Sequence, residues 1–178
     1  MIDMVGAFTI RRCDASDAPA VASLAARLFT QAYGPTHPEP ELSRYLARSF
    51  SVDGARDAIS AADVSMLMVE DSVGTSMAYA YLRPSSDPPD GVVGARPFEI
   101  VRFYVDAACQ GRGVGAALME ACVRDAKERG ADVIWLQVWT QAPWAVGFYE
   151  HVGFSVVGSA PFHFGDRVDH DHIMSRAV

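Results

Sequence analysis

Gln110-Gly111-Arg112-Gly113-Val114-Gly115 is the stretch on which the fold reading turns. A predicted strand, Phe98–Val105, feeds it, and a predicted helix, Val114–Arg129, leaves it. Glycines at this spacing let the backbone approach a ligand closely. The first N–H groups of the helix have no partner within the helix. With the helix dipole they form an anion site suited to a pyrophosphate, and Arg112 can add a charge-assisted contact. The helix has Val114, Ala117, Leu118, Ala121 and Cys122 on one stripe and ends at Gly130.

Gly111-Arg112-Gly113-Val114-Gly115-Ala116 also satisfies a relaxed dinucleotide fingerprint. That fingerprint needs an acidic residue at the far end of the next strand, to hold a ribose. The next strand is Val133–Trp139, nearly all apolar, as a strand buried on both faces would be. Asp132 precedes it, and its far end is Trp139-Thr140, so the nicotinamide reading fails on context.

Outward from this core, Phe8–Arg12 reads as a strand, and Asp14 or Ser16 as the cap of a helix with Pro19 in its first turn. Tyr33–Pro40 breaks that helix; a second starts near Glu41 and a short third spans Gly54–Ala61. Strands Val64–Glu70 and Ser76–Leu82 flank the turn Asp71-Ser72-Val73-Gly74. Arg83–Pro97, with four prolines, reads as a surface loop. Pro143 opens a short helix closed by Gly153, and strands Ser155–Phe164 and Val168–Arg176 flank Gly165-Asp166. The pattern predicts one α/β (α+β) domain over residues 1–178, with a mixed, mostly antiparallel sheet of about seven strands and helices on both faces.

Composition excludes several function classes. The chain has 178 residues, half of them apolar, enough for a sizeable core. The formal net charge is −7, which argues against bulk nucleic-acid binding. No apolar run reaches the roughly 18 residues of a membrane helix, and Met1-Ile2-Asp3-Met4 lacks the basic start of a signal peptide. Cys13, Cys109 and Cys122 are odd in number and far apart, as in reduced thiols of a cytoplasmic protein.

Gln110-x-x-Gly113-x-Gly115 resembles the acyl-CoA pyrophosphate loop of the GNAT N-acetyltransferase superfamily. Trp144-Ala145-Val146-Gly147-Phe148-Tyr149-Glu150-His151-Val152-Gly153-Phe154 resembles its second signature. The two occur in the right order around a helix and a buried strand. Glu99-Ile100, Ile134-Trp135-Leu136-x-Val138-Trp139, Phe162-x-Phe164-Gly165-Asp166 and Ile173-Met174 look closest to the PaiA-type polyamine acetyltransferases.

The resemblance implies acetyl transfer from acetyl-CoA, as co-substrate, to a primary amine. In that family the strand before the glycines offers backbone groups to the thioester and pantetheine, here Phe103, Tyr104 and Val105, while the next strand splays away and the cofactor lies in the cleft. Gln110, Gly111, Arg112, Gly113, Val114, Gly115 and Ala116 would hold the pyrophosphate. Tyr149 matches the tyrosine near the sulfur; a phenol is protonated at neutral pH and can donate to a departing thiolate. Glu99 is the candidate base, directly or through a water. The family's Asn at the start of the short helix is Ala142 here, which can neither cap nor bond the pantetheine arm, so Thr140 or Gln141 would have to substitute.

The acceptor expected is a polyamine or other small amine. Glu39, Glu41, Asp166 or Asp169 would hold distal ammonium groups where the first two helices, the Tyr33–Pro40 loop and the last hairpin form the cleft mouth. His37 reads as a loop residue, and Trp135, Trp139 and Trp144 as core or cleft lining. His170-x-His172 puts both imidazoles on one face, near His163 and Asp171, but no metal is expected, since the family's tail has no metal role. Many relatives are dimers, so a homodimer is compatible. The competing reading is a non-catalytic acyl-CoA-binding or regulatory module on the same fold; a phenol at Tyr149 favours the enzyme.

Overall fold

Alternating β-branched and aromatic runs, punctuated by proline and glycine, become strands here, and the alanine- and leucine-rich runs between them become helices. The computed structural model describes residues 2–5, 8–37, 39–164 and 167–178, with residues 2–5 and 167 described by backbone alone. The elements are β1 (Ile2–Val5), β2 (Phe8–Arg12), α1 (Ala18–Tyr33), α2 (Glu41–Ser49), α3 (Val52–Ser60), β3 (Ser65–Asp71), β4 (Ser76–Pro84), β5 (Pro97–Val105), α4 (Val114–Glu128), β6 (Val133–Trp139), α5 (Pro143–His151), β7 (Ser155–Phe164) and β8 (Arg167–Ala177). The described residues thus hold eight strands. The extra one is β1, four residues whose pairing with β2 supplies what their length does not. The turn Gly165-Asp166 lies outside the described residues.

Cα packing divides the chain into two compact units, residues 1–81 with 102–121, and residues 82–101 with 122–178. Strands β4 and β5 contribute residues to each. In the first unit the strand order is β1-β2-β3-β4-β5. β2 lies antiparallel to β1 and β3, with Ile10 opposite Val69. Asp14 caps a 3₁₀ turn, Ala15–Asp17, rather than α1 itself, and Asp17 returns a bond to the Asp14 N–H. Val21, Leu24, Ala25, Leu28 and Phe29 form the buried stripe of α1, at the spacing read from the sequence. Ser51 caps α3, accepting from the Gly54 N–H at 3.0 Å, so that helix starts before the expected Gly54.

In the second unit the order is β4-β5-β6-β8-β7. β5 and β6 are parallel, and their ladder ends with Glu99 opposite Trp135, four residues before β6 ends. β8 is antiparallel to β6 and β7. Six of the seven β6 side chains are buried; Gln137 is exposed. Asp132 accepts from the backbone N–H groups of Ala95 (2.7 Å) and Arg96 (3.0 Å) and so pins the proline-rich loop. These bonds hold its carboxyl below the usual range. Trp135 and Trp139 are core, as expected, but Trp144 is 66% exposed, at the first turn of α5.

The last hairpin buries two carboxylates that share one face of β8, Asp169 and Asp171. Asp171 lies opposite Trp139 on β6 and Ala160 on β7, and its Oδ1 is buried with no hydrogen-bond partner. Burial, and then the charge of Asp169, push its carboxyl up to about 6. Because the folded state binds this proton more tightly than the unfolded chain, the residue costs stability above pH 6, and the cost fades as pH falls toward 4. Asp171→Asn should therefore raise stability at pH 7.5 by about 1–3 kcal/mol, with the gain vanishing near pH 4. Denaturant titrations at both pH values test this; a variant less stable than wild type at pH 7.5 refutes it.

Candidate active site

The residues singled out from the sequence fall into both units, and each group has its own supporting structure. In the first unit, Phe103, Tyr104 and Val105 end β5, and a short turn, Ala107–Cys109, leads to the glycines. Asp106 anchors that turn. Its N–H donates to the Met77 carbonyl (2.9 Å), and its carboxylate accepts from the Ala108 N–H (3.0 Å), from Gln31 Nε2 (3.3 Å) and from Arg27. Gln31 Oε1 in turn accepts from the Ala107 N–H at 3.0 Å. The Arg27 guanidinium is the main cause holding the Asp106 carboxyl below its ordinary range. Two residues of α1 therefore fix where the loop begins.

Cys109 and Val114 are buried on either side of the loop, while Gln110, Gly111, Arg112 and Gly113 between them are exposed. Gly111 and Gly113 have φ of +72° and +81°, a region that side chains resist. At both positions no heavy atom stands within 4 Å of where a Cβ would be built. The glycines are thus required by the backbone, and the space before them is open. The Ala117 N–H bonds the Gly113 carbonyl, so the loop runs directly into α4, whose first turn carries Val114, Gly115 and Ala116. An open, glycine-lined helix start with unspent N–H groups fits a pyrophosphate.

In the second unit, Tyr149 is 8% exposed on α5, with its ring edge-on to Phe148 (5.4 Å) and Phe154 (5.9 Å). The Tyr149 carbonyl accepts from the Phe154 N–H, which ties the helix to the start of β7. Ala142 is buried at the N-cap of α5 and, as its side chain dictates, supplies no cap. Thr140 does not replace it: its hydroxyl donates to the His170 carbonyl at 2.9 Å, and α5 has no side-chain cap. Pro143 lowers the need, because its nitrogen carries no N–H to satisfy.

Glu99 is not a loose strand-end carboxylate. Arg83 Nε and Nη2 lie 2.8 and 2.7 Å from its Oε2, and the Glu99 side chain is 15% exposed. The expected ammonium-holding acids are also engaged: Ser43 donates to Glu39 at 2.6 Å, Arg44 pairs with Glu41 at 3.4 Å, and Asp169 is buried. Asp166 lies outside the described residues. His37 lies in the loop between α1 and α2, as read, and is buried there; its Nδ1 lies 3.1 Å from the Tyr33 carbonyl. Among the described residues, no group of three His, Cys, Asp or Glu side chains is arranged to hold a metal ion, and no helix is long and apolar enough to cross a membrane.

The sequence reading passed over Arg102, Tyr79 and the poised carboxyl of Asp171. The first two sit in ordinary-looking strands, and only tertiary packing stacks Tyr79 on Tyr104 and sets Arg102 over the Phe50 ring. Asp171 reads as part of the last strand, but its burial there depends on the neighbouring strands β6 and β7.

Comparison with known proteins agrees with this geometry. The model of the acetyltransferase (GNAT) family matches residues 24–154. An uncharacterized N-acetyltransferase of Mycobacterium tuberculosis is 26% identical over 163 residues, covering 92% of this chain and 99% of that protein. Among solved structures, the PaiA N-acetyltransferase of Thermoplasma acidophilum, in complex with coenzyme A, has a similar fold, with a TM-score of 0.77 at 18% identity, over 97% of this chain and 100% of that one. A GCN5-related N-acetyltransferase of Kribbella flavida has a TM-score of 0.68 at 25% identity, covering 97% and 98%. The family match spans most of the chain and takes in both the glycine loop and the Tyr149 helix, so the chain belongs to the acetyltransferase (GNAT) family.

Proposed function

We propose that the protein is an acetyl-CoA-dependent N-acetyltransferase, a single functional domain that moves an acetyl group to the primary amine of a small molecule by direct attack on the thioester. The observation that supports this most is the pair of left-handed glycines, Gly111 and Gly113, with open space before them at the head of α4. The coenzyme A bound to the PaiA-type neighbour supports the same co-substrate. Three free cysteines suit a cytoplasmic setting.

In this reading the loop from Gln110 to Gly115, with Ala116, holds the pyrophosphate through the N–H groups that follow Gln110, with Arg112 adding charge. Backbone groups of Phe103, Tyr104 and Val105 orient the thioester, and Ala142 lines the pantetheine arm with apolar surface alone. The thioester supplies the activated acetyl group. Tyr149 donates its phenolic proton to the departing sulfur. Glu99, held by Arg83, accepts the amine's proton through a water rather than by direct contact. The Tyr149 phenol favours catalysis over a purely acyl-CoA-binding role, because binding has no need of it.

Three measurements test these roles. Gly113→Val places a branched side chain at φ +81° and into the open space. Acetyl-CoA affinity should fall at least tenfold, about 1.4 kcal/mol, with the fold retained; unchanged affinity by calorimetry would remove the loop from the site. Tyr149→Phe keeps the packed ring and should lower turnover about 10²-fold with acetyl-CoA still bound. Near-normal turnover in a chemistry-limited assay returns Tyr149 to packing alone. A polyamine is the finer acceptor reading, drawn from the resemblance. It predicts that spermidine outperforms a neutral amine of similar length and that the advantage shrinks with salt; equal rates insensitive to salt reject it.

A further inference from the structure

Among the described residues of the first unit, one half-buried cation is neutralised by no acid. Arg11, Arg27, Arg44 and Arg56 of this unit each pair with a carboxylate. Arg102, on β5 beside Phe103, has no ion pair among the described residues. It is only partly exposed. Its Cζ lies 4.5 Å from the centroid of the Phe50 ring, and its Nη2 donates to the Ser49 carbonyl at 2.9 Å. Those contacts occupy one face and one donor of a group that has five N–H donors.

The surroundings lower the local dielectric. Phe29 contacts Tyr45 (4.7 Å), Phe50 (5.4 Å) and Tyr104 (6.2 Å), and Tyr79 stacks on Tyr104 at 5.9 Å. Tyr79 is fully buried, and its hydroxyl makes no hydrogen bond. Burial pushes that phenol up, and the Arg102 charge opposes the rise. A half-buried cation costs free energy unless it is paired. In a protein of net charge −7, an arginine kept without an acid is a cost that an anionic ligand removes. The planar guanidinium fork matches a carboxylate.

We propose that Arg102 is a specificity-determining residue that receives a carboxylate of the acceptor, so that an amine bearing a carboxylate is favoured over the same amine without one. Aromatic walls strengthen the ion pair by lowering the local dielectric. The proposal rests on the reading that β5 presents Phe103–Val105 to the thioester, which puts Arg102 one residue from the reacting end.

Matched amines that differ by one carboxylate test it: ornithine against putrescine, and phenylalanine against phenethylamine, with wild type, Arg102→Gln and Arg102→Lys. Wild type should favour the acid of at least one pair by tenfold or more in kcat/KM. Arg102→Gln should abolish that preference through the acceptor KM, leaving acetyl-CoA affinity by calorimetry and kcat on the carboxylate-free amine unchanged. Arg102→Lys should retain part of the preference, having the charge without the fork, and carries the test if the glutamine variant does not fold. Turnover without a carboxylate preference, or a preference surviving in either form in full, overturns the role of Arg102 while the acetyltransferase reading stands. Failure of wild type to bind acetyl-CoA overturns both.

Discussion

The candidate loop depends on one buried-edge carboxylate, Asp106. Its oxygens gather Arg27 and Gln31 from α1 and the Ala108 N–H from its own turn, while its backbone N–H is held by Met77. The glycines that follow have little to hold them: they are exposed, lack side chains, and adopt a conformation other residues resist. A loop of that kind keeps a shape only if its ends are fixed. Asp106 fixes one end with charge-assisted bonds, and the burial of Cys109 and Val114 fixes the rest by packing. The exposed N–H groups can then face a ligand without being reordered when it arrives, which is where a preorganised site gains affinity.

Elsewhere the same division holds between groups that are paired and groups that are not. Asp132 and Glu99 each have a partner that spacing along the sequence does not announce, the Ala95–Arg96 backbone for one and Arg83 for the other. Arg102 and Asp171 look unremarkable in sequence, yet each holds a charge that the fold leaves largely uncompensated. Charge that is buried and unneutralised lowers stability, and perturbed groups of this sort cluster where proteins bind or react. Pairing, rather than residue type, decides how much of a group's charge is spent within the fold.

The strands illustrate how local patterns become a sheet. β6 is apolar on both faces and forms an interior strand flanked by β5 and β8, as its composition dictates. β1 escapes notice in the sequence because four residues have too short a period to register, and only its pairing with β2 makes it a strand. The cap of α5 shows the opposite case. Ala142 announces a missing side-chain cap, and the structure leaves it missing, because Pro143 removes one donor and Thr140 is committed to His170.

By itself the sequence determined the element order, the buried stripe of α1, the interior character of β6 and the glycine turn at the head of α4. Each of these is written in local spacing: a period of 3.6 or 2, a run of apolar residues, or a residue type that alone tolerates a left-handed backbone. The family followed from two such local motifs in order. Tertiary structure alone decided which charged groups are spent. Whether Glu99 meets Arg83, whether Glu39 is held by Ser43, and whether Arg102 finds an acid or an aromatic ring are matters of residues far apart in the chain or of rotamers set by packing. Spacing along the sequence has no access to those distances, and a charge's partner, not its identity, determines what it can do.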